Sequence, residues 1–285
     1  MPNYARVLIK ISGEALSGSQ DIYDQEKLRF VAGEIVQLVR AGVQCGVVVG
    51  AGNIWRGRQK DSDMSATVAD YMGMLATCIN ALALSEAIRL AGAQGKGSDA
   101  RICASGTPSD ASTGAAGIGQ PFGTNANSSD ADAGPVTCKV YSSVGVDGMM
   151  PAFCAASAIA DLNRGRVVIV AGGTGSPYFS TDTAAVLRAL ELEADAVLMA
   201  KNVPGVFTAD PKRDPAARMY RAISAQACIQ NNLKAADLAA MALVMEHNLT
   251  LEVFELSPGL MLAAARGEST GTRVSNAVTE AILAY

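Results

Sequence analysis

Four short apolar runs, each ending at a turn that carries glycine, constrain the fold more than any other feature: "RVLIKISGEAL", "CGVVVGAGN", "GRVVIVAGGTGS" and "DAVLMAKNVPG". A fifth, "LTLEVFELSPG", lies near the C-terminus. Between them, apolar residues fall at helical spacing over residues 25–40, 65–91, 151–163, 182–193 and 234–246. Strands alternating with helices build βαβ units, and βαβ units build a mainly parallel sheet covered on both faces. The core-forming residues are the right ones for this, since 49% of the chain is hydrophobic but only 5% is aromatic. Val, Ile, Leu and Ala must therefore fill the interior, as they do in parallel sheets. The expectation is an α/β fold, a three-layer α/β/α sandwich. Ligands of such sheets gather at the carboxyl ends of the strands, where these glycines stand.

Residues 93–134 interrupt the pattern. They are dominated by Gly, Ala, Ser and Asp and read as a surface insertion of low complexity. Either "DARICAS" or "TCKVYSS" supplies the next strand, and the second is preferred because it leads into "VDGMMPAF" and the following helix.

Charge and residue counts exclude several classes. A net charge of −4 offers no broad attraction for nucleic acid, so an anionic ligand needs a local cluster of donors. The apolar run in "MPNYARVLIKISG" is too short for a signal peptide, and no segment is read as long and apolar enough for a bilayer. No membrane partner is expected, and the compartment is taken as cytoplasmic. The 6 cysteines have no metal-ligand spacing and read as reduced, partly buried thiols. With 1 histidine in the chain, His247, mechanisms that need an imidazole base have almost nowhere to find it. His247 itself reads as a helix-terminal or surface residue.

Four stretches can carry chemistry. In "GVVVGAGNIWRG" a strand meets G-x-G, but a dinucleotide fingerprint needs a third glycine where Trp55 stands. Gly50 and Gly52 still let an anion approach the backbone. Lys10 ends an apolar strand and is followed by Ser12 and Gly13; it is either a phosphate-binding ammonium or a lysine snorkelling from a sheet edge. No G-x-x-x-x-G-K-[ST] occurs, so this is not a P-loop. "AGGTGSPYFSTDTAA" combines exposed backbone with hydroxyls, and Asp182 stands where a helix begins. Its plain role is an N-cap; a carboxylate there can also orient Lys10 or Mg²⁺. In "LMAKNVPGVFTADPKRDP", Lys201, Phe207 and Asp210 suit a base and ribose, although the segment is also simply a good turn. Arg56 suits bidentate phosphate binding, and Asp70 suits a sugar hydroxyl unless it is merely a solvated helix residue.

The segments "KISGEAL", "VVVGAGNIWRG", "ADYMGMLATCINALAL", "AGGTGSPYFSTDTAA", "EADAVLMAK", "GVFTADP" and "ARGESTGTRV" occur in the order seen in bacterial-type UMP kinases of the amino-acid-kinase superfamily, which this sequence resembles over nearly its whole length apart from the insertion. The resemblance implies one amino-acid-kinase domain over residues 1–285, a homohexamer, and transfer of a phosphoryl group from ATP to UMP with Mg²⁺. It places the ATP phosphate clamp on Lys10, Ser12 and Gly13, with Gly52 and Arg56 along the phosphate path. Lys201, Phe207 and Asp210 would also contact ATP. The UMP side would use Gly50, Ala51, Asp70 and the run Thr174, Gly175, Ser176, Pro177, Tyr178, Phe179, Ser180 and Thr181. Asp182 resembles the family's organising carboxylate, and Asp237 an aspartate near the reacting phosphates; no residue is expected to form a resident metal site. Ala51, Ser176, Ser180, Pro204 and Ala236 depart from the family's usual residues. Two other readings remain: a sister kinase acting on a carboxylate or carbamate, and a non-catalytic nucleotide- or anion-binding relative.

Overall fold

The computed structural model describes residues 3–19, 21–55, 63–93, 134–211, 213–279 and 281–283. The elements run β1 (Arg6–Ile11), α1 (Gln25–Arg40), β2 (Gln44–Val49), α2 (Ala66–Ala93), β3 (Cys138–Ser142), α3 (Ala155–Asn163), β4 (Val167–Ala171), α4 (Thr181–Glu191) and β5 (Ala196–Lys201). They continue with β6 (Tyr220–Ile223), α5 (Ala225–Gln230), α6 (Leu238–His247), β7 (Thr250–Glu255), α7 (Leu260–Ala265), β8 (Thr272–Val274) and β9 (Ile282–Leu283). One sheet takes the order β3-β4-β2-β1-β5-β7-β8-β6-β9. Its first six strands are parallel, and β8 is the first to run against its neighbour, β7.

Side-chain alternation divides the core into two halves. Val7, Ile9 and Ile11 of β1 join Val47 and Val49 under α1, α2 and α7. Leu8 joins Val48, Val168, Val170, Val197 and Met199 under α3, α4, α5 and α6. Each such side chain contributes roughly 1.5–3 kcal/mol on burial. The same alternation places Lys10 with Leu8, and Lys201 with Val197 and Met199. Both lysines therefore lie on the face that α4 covers, on the neighbouring strands β1 and β5.

The five anticipated strands and the strand read in "TCKVYSS" are all present; "DARICAS" and the insertion from 94 to 133 fall outside the described residues. Several details differ from the sequence expectation. Residues 13–16 form a single 3-10 turn between β1 and α1, where no element was expected. The helix expected from 151 starts at Ala155, because the backbone of Pro151 and Phe153 pairs with Ser142. The one expected from 234 starts at Leu238, where Asp237 caps it. The short elements α5, α7, β6, β8 and β9 were not anticipated. One correction concerns length: α2 has 28 residues and is apolar enough to cross a bilayer by that measure alone. It packs instead on α1, β2, β3 and β4, which is why it is apolar on its inner face.

Candidate active site

The site forms where the turns after β1, β2 and β4 meet the start of α4. Ser180 caps α4: its hydroxyl accepts from the backbone N–H of Asp182 (2.9 Å) and Thr183 (3.4 Å). The N-cap reading of Asp182 therefore does not hold. As the second residue of the helix, it has its carboxylate available for other partners. Lys10 Nζ stands 2.8 Å from one carboxylate oxygen and Lys201 Nζ 3.6 Å from the other. The three side chains are 12%, 19% and 18% exposed for Lys10, Lys201 and Asp182, so Lys10 is no snorkelling edge residue.

The electrostatics follow from that crowding. Burial pushes the Asp182 carboxyl upward, but Lys10 and Lys201 outweigh it and hold the group below its ordinary value. Burial lowers the pKa of Lys201, and Asp182 only partly restores it. Lys201 also donates to the Ala235 carbonyl at 2.5 Å. Within this triad two cations share one carboxylate, a local positive surplus that the more distant Asp237 charge, itself engaged by Ser180, Thr183 and Ala240, only moderates. An anion satisfies that surplus.

The turn after β2 closes on the turn after β1. A Cβ at Gly13 would fall 2.7 Å from the Gly50 carbonyl oxygen and 2.8 Å from the Gly52 nitrogen, so only glycine fits. An added Cβ at Gly50 would be tight against Gly13 N, at 3.3 Å, and in ordinary contact with the Thr181 hydroxyl, at 3.6 Å. Ser12 Oγ is buried and has no hydrogen-bond partner among the described residues. A phosphate oxygen is a fitting partner for such a hydroxyl. Gly52 and Ala51 lie in this turn, whereas Arg56 falls outside the described residues.

The loop after β4 is held from several sides. Gly172, Gly173 and Gly175 all have positive φ, and Gly172 and Gly175 press against the backbone of Ser143. Thr174 uses its hydroxyl inside the loop, accepting from Ser176 N and donating to Ser176 O. Arg188 of α4, buried beneath Phe153, donates to the Thr174 carbonyl (3.3 Å). Tyr178 adopts φ 73°, a strained conformation for a tyrosine. Its backbone N–H donates to Asp70 at 2.7 Å, and its hydroxyl meets Thr67 at 3.1 Å. Asp70 is thus half-buried and tied to the loop rather than simply solvated. Pro177 and Phe179 flank Tyr178; the Tyr178 and Phe179 side chains are exposed.

Asp237 is close to this start of α4 but is heavily engaged. It accepts from Ser180 Oγ, Thr183 N (3.2 Å), Thr183 Oγ1 (2.8 Å) and Ala240 N (2.9 Å). Phe207 and Asp210 lie further along the segment after Lys201, where Phe207 bridges Met219 and Asp210 closes a turn with Arg213. Sequence reasoning missed Asn53, Thr77, Asn80, Ser143 and Arg188. For Thr77, Asn80 and Arg188 the available signal was a polar residue within an apolar helical stretch, as in "LATCINALAL" and "AAVLRALE"; Asn53 and Ser143 lie in loops and gave no such signal.

Residues 5–255 match the model of the amino acid kinase family. This chain belongs to that family. Among its relatives, a uridylate kinase from Aliivibrio fischeri is 38% identical over 279 residues, covering 97% of each sequence. The crystal structure of UMP kinase from Bacillus anthracis aligns over 100% of both chains with a TM-score of 0.81 and 29% identity. That of UMP kinase from Ureaplasma parvum aligns over 95% of this chain and 98% of its own, with a TM-score of 0.75 and 31% identity. The mainly parallel sheet with its layers of helices is thus the amino-acid-kinase fold.

Proposed function

We propose that this amino acid kinase is a UMP kinase, moving the γ-phosphoryl group of ATP to UMP in pyrimidine nucleotide biosynthesis. An oxygen of the UMP phosphate attacks the γ-phosphorus in line, the bond to the β–γ bridging oxygen breaks, and UDP and ADP result. The observation that carries this reading is the buried Lys10–Asp182–Lys201 cluster at the junction of three strand-end turns. Phosphoryl transfer asks the protein mainly to position reactants and neutralise charge, and that cluster does both without a histidine. The uridylate and UMP kinase relatives, similar over nearly the whole chain, support UMP as the acceptor.

Lys10 and Arg56 neutralise the migrating group, and Asp182 aims Lys10. Ser12, Gly13 and Gly52 line the ATP phosphates; Lys201, Phe207 and Asp210 serve the rest of ATP. Gly50, Ala51, Asp70 and the loop from Thr174 to Thr181 hold UMP. Asp237 supports the reacting groups from the base of α4. Among the described residues no three His, Cys, Asp or Glu side chains gather as a metal cage. Asp182 is the carboxylate of this chain that would orient a Mg²⁺ carried on the ATP phosphates, an ion that usually keeps several of its waters at such sites. The ion then supplies charge neutralisation between the phosphates.

Two further parts of the reading concern the whole protein. The unpaired thiols of Cys45, Cys78, Cys138, Cys154 and Cys228 suit the reducing cytoplasm. Self-association, as the homohexamer that the resemblance implies, is supported by an exposed apolar stripe on α2. An acceptor screen tests the function: purified protein, ATP and Mg²⁺ are offered UMP, CMP, aspartate and acetylglutamate, and products are read by mass. UDP is the expected main product. A phosphorylated carboxylate in preference to UDP, or UMP binding with no turnover, overturns the assignment.

A further inference from the structure

We infer that Asn80, in the middle of α2, is a positioning residue that locks the Gly50–Trp55 turn at the spacing the acceptor phosphate requires. The inference rests on the reading of that turn as part of the UMP site.

Asn80 has 0% exposure within an otherwise apolar stretch of helix. A buried side-chain amide is costly unless its donors and acceptor are all matched. Here they are. Nδ2 donates to the Gly50 carbonyl (2.7 Å) and to Asn53 Oδ1 (2.7 Å). Oδ1 accepts from Asn53 Nδ2 (3.1 Å) and from the Tyr23 hydroxyl (2.8 Å). Asn53 Nδ2 also donates to the Ile22 carbonyl (3.0 Å). The two amides therefore grip each other reciprocally and fasten the turn to α2 and to the segment preceding α1.

The grip bears directly on the site. Gly50 N donates to the Ile11 carbonyl (2.8 Å) while its own carbonyl is held by Asn80, so this residue is fixed from the β1 side and from α2. Gly13 lies against the same atoms, since a Cβ there would stand 2.3 Å from Asn53 Oδ1. One turn of helix away, Thr77 Oγ1 accepts from Gly172 N (2.8 Å), which fastens the loop after β4 to the same helix. The inner face of α2 thus sets the distance between the two loops assigned to UMP. A group that only stabilised the core would not discriminate between the two substrates.

Asn53→Ala removes the lock from its half-buried end, and Asn80→Leu removes it from the centre. Steady-state kinetics would be measured for UMP and ATP separately, together with acrylamide quenching of Trp55 in the absence of nucleotide. Trp55 is the single tryptophan of the chain and ends the turn, its backbone N–H donating to the Ala51 carbonyl at 2.8 Å. Both variants are expected to raise KM for UMP about tenfold or more, to raise KM for ATP by clearly less because only Gly52 of this turn and the adjoining Gly13 are assigned to ATP, and to make Trp55 easier to quench. Should Asn80→Leu fail to fold, Asn53→Ala alone decides. Equal changes in both KM values, or unaltered UMP kinetics with unaltered quenching, overturn the proposal. If the wild-type protein takes no UMP, the acceptor reading fails instead, and quenching alone then decides whether the lock exists.

Discussion

Lys10 shows how one residue acquires a function from strand parity. It shares a face with Leu8, so it must meet whatever covers Leu8, and that is α4 with Asp182 at its start. Its position at a strand end was legible in the sequence, and so were Asp182 and Lys201. Their convergence was not, because it depends on β5 pairing with β1 and on α4 crossing beneath both. Replacing Lys10 by Ala is expected to lower turnover about a hundredfold or more while UMP still binds, since a preorganised charge donor is worth roughly 3 kcal/mol in the transition state. A coupled UDP-formation assay with calorimetry for UMP checks both halves of that statement. Asp182 makes a separate prediction about pH. Its folded pKa lies below the ordinary value of 3.8 because the two ammoniums outweigh burial. Its stabilising contribution is therefore complete above that ordinary value and is lost as pH falls through the lower folded value. Acid titration of Asp182→Asn, followed by circular dichroism, should show a shallower loss of stability below about pH 4 than the wild type shows. Equal slopes would remove the ion-paired carboxylate from the account.

Among the elements, the strongly periodic ones were readable and the short ones were not. Residues 25–40 form α1 over the anticipated span, with Asp24 capping it by accepting from Glu26 and Lys27. The 6-residue helices α5 and α7 carry too few turns for a periodic pattern to be distinguished from a loop. They owe their place to packing and to partners distant in sequence. Gly259, which precedes α7, donates its N–H to the buried carboxylate of Glu34 at 3.0 Å, a contact spanning most of the chain. Asp237 belongs at this scale as well, because it caps α6 while holding Ser180 and Thr183 at the start of α4. Asparagine caps helices about as well as aspartate, and alanine does not. Asp237→Asn is thus expected to keep the α6 cap but to cost about 1 kcal/mol, because its amide nitrogen would face donors now held by a carboxylate oxygen, and Asp237→Ala to lose roughly 2 kcal/mol or more. Turnover should fall in Asp237→Asn all the same. The aspartate charge helps Lys201 retain its proton against the effect of burial, so the deficit should grow toward alkaline pH. A pH–rate profile identical to the wild type would confine Asp237 to capping.

At the scale of the molecule, α2 has two faces with different tasks. The inner face carries Asp70, Thr77 and Asn80, which fasten the two loops assigned to UMP. The outer face carries Val68, Tyr71, Met72, Leu75, Ile79 and Leu82, each between 37% and 52% exposed; apart from the adjacent Tyr71 and Met72, successive members are three or four residues apart. Such a stripe is larger than scattered surface apolar residues explain, and it matches the way one helix packs against another. A second copy of the chain is the partner proposed above, and a helix buried between two copies would hold its inner contacts more rigidly. Introducing charge at two central positions of the stripe, as in Leu75→Glu with Ile79→Glu, tests this without touching any residue of the site. Light scattering coupled to size exclusion should show the assembly falling to smaller species, because two carboxylates cannot be buried there unpaired. If self-association supports the acceptor loops through α2, KM for UMP should rise in the dissociated form and recover as protein concentration restores the assembly. Dissociation with unchanged KM would separate assembly from the site, and an intact assembly would show that copies meet through another surface.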